Sequence, residues 1–137
     1  GVGLFSAAVL LSEMGDFSLF RKPKQLAAYF GLDPSERQSG TIQSTRNKIS
    51  KRGSPYVRAV LYMVAHNTVH TNCFGSVGNP VLAEFYQKKC RSKPSNVAIC
   101  AVMHKLSNII YAVLRDQAPF ELRPPETHAK IICGKAA

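Results

Sequence analysis

Acidic residues are scarce in this sequence: only 8 of its 137 residues are Asp or Glu, against 18 Lys or Arg. The formal net charge is therefore +10 at pH 7. The few carboxylates belong to no motif, so the chain lacks the converging acids that two-metal phosphoryl chemistry needs. The positive charge predicts an acidic polymer as partner, with nucleic acid ahead of an anionic membrane surface.

The sequence also lacks three other features: long apolar runs, a basic segment ahead of its apolar start, and paired cysteines. No run approaches the roughly 18 to 20 residues that span a bilayer, so we expect neither a membrane span nor a signal peptide. The four cysteines form no Cys-x-x-Cys pair: Cys73, Cys90, Cys100 and Cys133. We therefore expect reduced cysteines in a cytoplasmic protein.

Apolar residues recur at helical spacing in five segments, which predicts a mainly all-α, compact bundle. The predicted helices cover about 4–14, 22–30, 55–71, 80–91 and 97–114. The last is apolar nearly all round, so it belongs in the middle of the core. One domain then covers 1–117, and a proline-containing, poorly ordered tail covers 118–137.

Capping residues support these boundaries. Ser54 and Asn79 each precede a proline, which places an N-cap before a proline at the first helical position. Gly31 suits a left-handed C-cap. The opening Gly1-Val2-Gly3 lets a backbone approach phosphate at a helix N-terminus, and it resembles the second half of a helix-hairpin-helix element. Such a glycine pair is also common in plain loops, and a chain that opens this way is expected to be a fragment.

A polar, basic stretch separates the second helix from the third. Residues 33–53 predict a long loop or an irregular β-hairpin, and no Asp or Glu lies between Arg37 and Ala83. The basic residues of this interval predict a positive surface for phosphates: Arg37, Arg46, Lys48, Lys51, Arg52 and Arg58. The alternative is a solvated basic loop without a partner.

Two further groups of residues could bind a metal or act as nucleophiles. His66, His70 and Cys73 have the spacing of metal ligands near a helix end. Partly buried histidines beside a core cysteine are the preferred interpretation, so we expect no metal. The polar stretch offers candidate nucleophiles: Ser35, Ser39, Ser44, Ser50 and Ser54. Ser39 precedes Gly40 in a basic neighbourhood where guanidinium groups could stabilise an attacking alkoxide, although Ser-Gly is also a common turn.

Three blocks of sequence, residues 1–40, 49–67 and 101–120, together resemble a known family. They look like the C-terminal domain of insertion-sequence transposases of the one-ten type, the bridge-RNA-guided recombinases. The resemblance covers residues 1–120 in order. It implies a bacterial, nucleoid-associated protein that acts in DNA transposition and recombination.

The resemblance also implies a division of labour. In this family a nuclease-like domain of RuvC type carries a four-carboxylate site, where we expect Mg²⁺, and it precedes the domain seen here. The family serine falls at Ser39, as a nucleophile that joins covalently to DNA. A structured guide RNA and a homo-oligomer are the further expected partners of the full-length protein.

The block around Ile49–Gly53 matches the family closely, whereas residues 41–45 depart from its glycine- and arginine-rich pattern. The resulting hypothesis is a DNA-binding and strand-joining domain that is inactive alone. The alternative is a non-enzymatic nucleic-acid-binding module in which Ser39 is a turn residue. The residues expected to contact nucleic acid are Gly1, Gly3, Arg37, Arg46, Lys48, Ser50, Lys51, Arg52 and Arg58.

Overall fold

The computed structural model describes residues 2–35, 38–39, 42–43, 48–71, 75–124 and 127, and this part of the chain forms five α-helices. The fold is mainly all-α, as predicted. The helices are α1 (Leu4–Met14), α2 (Pro23–Tyr29), α3 (Pro55–Val69), α4 (Pro80–Cys90) and α5 (Ser95–Asp116), with a 3-10 turn at Phe17–Leu19. Each predicted helix is present within about two residues of its expected ends.

Helix α5 is the central element. It packs against α2, α3 and α4, and its inward side is fully buried through Ala98, Ile99 and Val102. Apolar side chains from the surrounding helices complete the core, among them Leu26, Phe30, Val57 and Leu61. The predicted central position of the last helix is confirmed.

The length and composition of α5 alone would allow it to cross a membrane. The expectation that no segment is long and apolar enough for a span is therefore wrong at this one helix. The physical reason for its hydrophobicity lies in its packing, because three other helices cover parts of its surface. We accordingly assign α5 as the core helix of this fold.

Side-chain caps start α3 and α4. The Ser54 hydroxyl accepts hydrogen bonds from the N–H groups of Tyr56 and Val57, and the Asn79 side chain accepts one from Leu82 N–H. Each cap is followed by proline at the first helical position. Both helix starts thus follow from the sequence pattern, since a proline at this position gives up an N–H that has no helical partner.

The described residues between Asp33 and Ser50 pair as in a β-hairpin, one of the two structures that the composition predicted. Strand β1 (Gln38–Ser39) pairs antiparallel with β2 (Ile42–Gln43), and Ser39 lies opposite Ile42. Nearer the helices, Pro34 and Ile49 form an isolated bridge. The hairpin therefore returns the chain to the end of α2, beside which α3 begins.

Two cysteines are described and both are free thiols, Cys90 at the surface and Cys100 partly buried against the core. Burial raises the pKa of the Cys100 thiol above its usual value. Cys73 and Cys133 lie outside the described residues. The described part of the tail, Ala118 to Pro124, has no helix or strand, and the expectation of a separate, poorly ordered tail stays a prediction.

Candidate nucleic-acid interface

The base of the hairpin is closed by four hydrogen bonds. The backbone N–H and the hydroxyl of Ser35 both donate to the Lys48 carbonyl, at 2.7 and 2.9 Å. Ser50 N–H donates to the Asp33 carbonyl at 2.8 Å, and the Ser50 hydroxyl donates to the Asp33 carboxylate at 2.5 Å. These bonds fix the point at which the hairpin leaves the helical body.

The next segment, Lys51-Arg52-Gly53, presses directly on the end of α2. Lys51 N–H donates to the Gly31 carbonyl at 3.2 Å. A Cβ added at Gly31 would lie 1.9 Å from the Arg52 carbonyl oxygen, and one at Gly53 would lie 2.0 Å from that of Tyr29. Both glycines have positive φ, so only glycine combines the required backbone with this close approach.

Arg58 also holds this segment through hydrogen bonds. Its guanidinium donates to the Gly53 carbonyl at 3.0 Å and to the Arg52 carbonyl at 3.4 Å. Lys51 itself has a positive φ of 56°, which a lysine adopts only where the surroundings hold it. We call the resulting cluster of Lys48, Lys51, Arg52 and Arg58 the basic corner.

The positive charge of the basic corner comes from its exposed side chains and from the N-terminal end of α3. Lys48, Lys51 and Arg52 are exposed, and the first turn of α3 contains no acidic residue. The N-terminus of α3 adds the partial positive charge of the helix dipole, although the Tyr56 and Val57 N–H groups are already bonded to the Ser54 hydroxyl. Among the residues that the structure describes, no carboxylate forms an ion pair with the corner. No described carboxylate therefore neutralises the positive charge of the corner through an ion pair.

The structure brings five of the predicted contact residues together: Lys48, Ser50, Lys51, Arg52 and Arg58. Within this group, the Ser50 hydroxyl and the Arg58 guanidinium make internal hydrogen bonds that position the exposed cations of Lys51 and Arg52. Gly3 is the exposed N-cap of α1, with open space where a Cβ would stand. Gly1, Arg37 and Arg46 lie outside the described residues.

Ser39 is placed by its backbone only. It is the last residue of β1, and residues 40–41 separate it from its pairing partner Ile42 on β2. Its side chain lies outside the described part of the chain, so its exposure and its neighbours stay predictions.

Two features of this region were not predicted from the sequence. One is the docking of Gly53 on the α2 end, for which the glycines in Phe30-Gly31 and Arg52-Gly53 were the available signal. The other is the surroundings of His66 and His70, which were expected to be partly buried. Both are exposed, His66 on α3 and His70 as its C-cap residue, because the core-facing side of that helix is occupied by Val57, Leu61, Val64 and Thr68.

Metal-ligating side chains do not cluster in the described residues, where no three His, Cys, Asp or Glu side chains come together. Cys73, which was weighed as a third ligand beside the two histidines, lies outside them. This part of the chain therefore does not fit a bound divalent cation.

Comparison with known proteins places the chain near DNA-rearranging enzymes. Residues 1–87 match the family model described as transposase IS116/IS110/IS902 family. A pilin gene-inverting protein of Moraxella bovis is 34% identical over 90% of this chain and 37% of its own length. A probable family 20 transposase of Pseudomonas aeruginosa is 32% identical over 83% of this chain and 32% of its own length. The chain thus spans about a third of the length of these relatives.

Proposed function

The chain belongs to the IS116/IS110/IS902 family of transposases, and from this premise we propose that it is the DNA-binding and strand-joining part of such an enzyme. Members of this family act in DNA transposition and recombination. The observation that carries the proposal is the joining of the basic corner to the hairpin that contains Ser39, inside the segment that the family model matches.

The basic corner supplies the affinity in this proposal. Exposed Lys and Arg side chains favour phosphate oxygens, and the positive end of the α3 helix dipole adds to this attraction. Such contacts hold the nucleic-acid backbone without reading its sequence. We therefore assign the choice of target to a partner outside this chain, for which the structured guide RNA implied by the resemblance is the candidate.

Ser39 is the proposed nucleophile. Its oxygen attacks the phosphorus of a phosphodiester, so that an O–P bond to the protein forms while the bond to one nucleotide oxygen breaks. The serine proton leaves to a base, and the departing oxygen takes up a proton. A hydroxyl of a second strand then attacks the phosphoserine, which releases Ser39 and joins the strands.

The base is not assigned among the described residues. Since these residues do not fit a divalent cation, we propose that Mg²⁺ belongs to a nuclease-like domain elsewhere in the full-length protein. That domain and this one would meet in a homo-oligomer. This chain alone is then expected to bind nucleic acid without turnover.

Replacement of Ser39 in a full-length protein that carries this sequence tests the proposal. Ser39→Ala should abolish strand exchange and the covalent protein–DNA adduct, while DNA affinity stays nearly unchanged, because one hydroxyl contributes little to binding. Mass spectrometry of the trapped adduct locates the linked residue. Ser44→Ala is the matched control and should retain activity. Ser35→Ala is also expected to be mild in chemistry, although its hydroxyl helps to close the hairpin base.

Retained strand exchange by the Ser39→Ala variant would exclude the nucleophile role. DNA binding without any adduct in the intact wild-type protein would favour the alternative, a nucleic-acid-binding module in which Ser39 is a turn residue.

A further inference from the structure

Four aromatic rings follow one another across the surface of α3 and α4. Tyr62 and His66 are four residues apart on one side of α3, and His70 follows as the C-cap residue of that helix. The ring centroids lie 6.3 Å apart for Tyr62 and His66, and 4.0 Å apart for His66 and His70. Tyr86 of α4 follows His70 at 5.4 Å. We call these four residues the aromatic row.

The aromatic row is accessible and is not part of the core. Tyr62 is 44% exposed, and both histidines are exposed. The two imidazoles are nearly parallel, at 15°, and the His70 Nδ1 lies 3.0 Å from the His66 carbonyl oxygen. The histidine pair is therefore held in place, and the Tyr62 ring lies over His66 at an interplanar angle of 29°.

Positive charge lies at both ends of the row. Arg58 of the basic corner precedes Tyr62 by one four-residue step on α3. Beyond Tyr86, the last turn of α4 contains Lys88 and Lys89, and Arg91 follows. Glu84 is the only acidic residue between positions 37 and 115. Aromatic faces between cations are the arrangement with which proteins bind single-stranded nucleic acid.

We propose that the aromatic row is a stacking site for unpaired nucleobases, with Tyr62 as the ring on which a base stacks. This inference rests on the proposed function and adds a second contact area to it, since the basic corner holds phosphates. In this proposal the histidine pair supports the Tyr62 ring from one side. The cations at the two ends of the aromatic row contact the phosphates of the bound single strand. The distance from Arg58 to His70 is about 18 Å along the helix, which accommodates several stacked nucleotides.

Binding of short oligonucleotides to the 137-residue chain tests this site. Fluorescence anisotropy would compare oligodeoxythymidine, oligouridine, an abasic oligodeoxynucleotide and a DNA duplex, each labelled and of equal length. Tyr62→Ala should weaken binding of the base-containing single strands by about 5- to 150-fold, the range expected for one stacked base. Duplex affinity and the salt slope should not change, because no phosphate contact is removed. The abasic strand should bind wild type and variant alike.

Matched variants separate stacking from structure. Tyr62→Phe keeps the ring and should retain wild-type affinity, and His66→Ala should give a smaller loss than Tyr62→Ala. Met63→Ala is the control, because Met63 is the neighbouring exposed residue on α3 and lacks a ring. Because the chain has no tryptophan, bound bases should also quench its tyrosine emission, and less so in Tyr62→Ala.

The outcomes distinguish this inference from the proposed function. A loss confined to oligodeoxythymidine assigns the site to DNA, and one confined to oligouridine assigns it to RNA; either result supports stacking. An equal loss for the duplex or the abasic strand would overturn the stacking site and leave the basic corner intact. If the wild-type chain bound none of the four probes, the proposed function itself would fail.

Discussion

At the scale of single residues, the basic corner depends on glycines that touch backbone. Gly31 and Gly53 allow Lys51 and Arg52 to stand at the surface, because the chain behind them passes against the end of α2. The exposed cations alone would not define a binding geometry. The positions of these cations are set by Gly31 and Gly53, together with the Arg58 guanidinium, which donates hydrogen bonds to the Arg52 and Gly53 carbonyls.

Replacement of Gly53 by alanine should therefore affect both stability and binding. We expect a loss of unfolding free energy above the roughly 1–3 kcal/mol of a strained backbone residue, because the new Cβ also meets the Tyr29 carbonyl. Gly15→Ala is the control: its φ is also positive at 64°, but nothing lies within 4 Å of the added Cβ. Urea denaturation and duplex affinity would be measured for both variants.

The Gly15→Ala variant should lose stability by strain alone and keep its duplex affinity. Equal losses of stability in the two variants, with unchanged binding in Gly53→Ala, would contradict the assigned role of the close approach.

At the scale of helices and strands, local sequence signals predicted most of what is observed. The caps at Ser54 and Asn79 and the apolar character of α5 act within one element, so they are visible in the sequence. The docking of residues 51–53 on the α2 end joins positions about twenty residues apart. No local periodicity records such a contact, and the same holds for the pairing of Tyr86 with a row of rings on α3.

The Asn79 cap gives a test at this scale. Asn79→Ala should cost about 0.5–2 kcal/mol of unfolding free energy, since it removes the acceptor of Leu82 N–H at 3.1 Å in a buried setting. Asn79→Asp keeps an acceptor and should recover most of the loss. The control, Asn96→Ala, makes the same change at an exposed position in the first turn of α5 and should stay within about 0.5 kcal/mol of wild type. A comparable loss at both sites would argue against the cap.

At the scale of the whole molecule, the fold brings the basic residues of the corner together on one surface. The helical core built around α5 carries the hairpin and the basic corner, and the cations of the corner come from a sequence interval, residues 37–83, that contains no Asp or Glu. The composition predicted a nucleic-acid partner and the sequence pattern predicted the basic stretch. The shape of the corner required the tertiary contacts of α2 with the start of α3.

The salt dependence of duplex DNA binding tests this account most directly. The affinity of the 137-residue chain should fall with a log–log slope of roughly −3 to −5, as expected if about four or five phosphates are neutralised. Lys51→Ala with Arg52→Ala should reduce the magnitude of that slope by about 1 to 2. Arg115→Ala with Arg123→Ala changes the formal charge equally, but these arginines pair with Asp116 and Glu121, so the slope should stay at its wild-type value. A flat salt dependence in the wild type, or equal changes in the two double variants, would contradict a nucleic-acid interface at the basic corner.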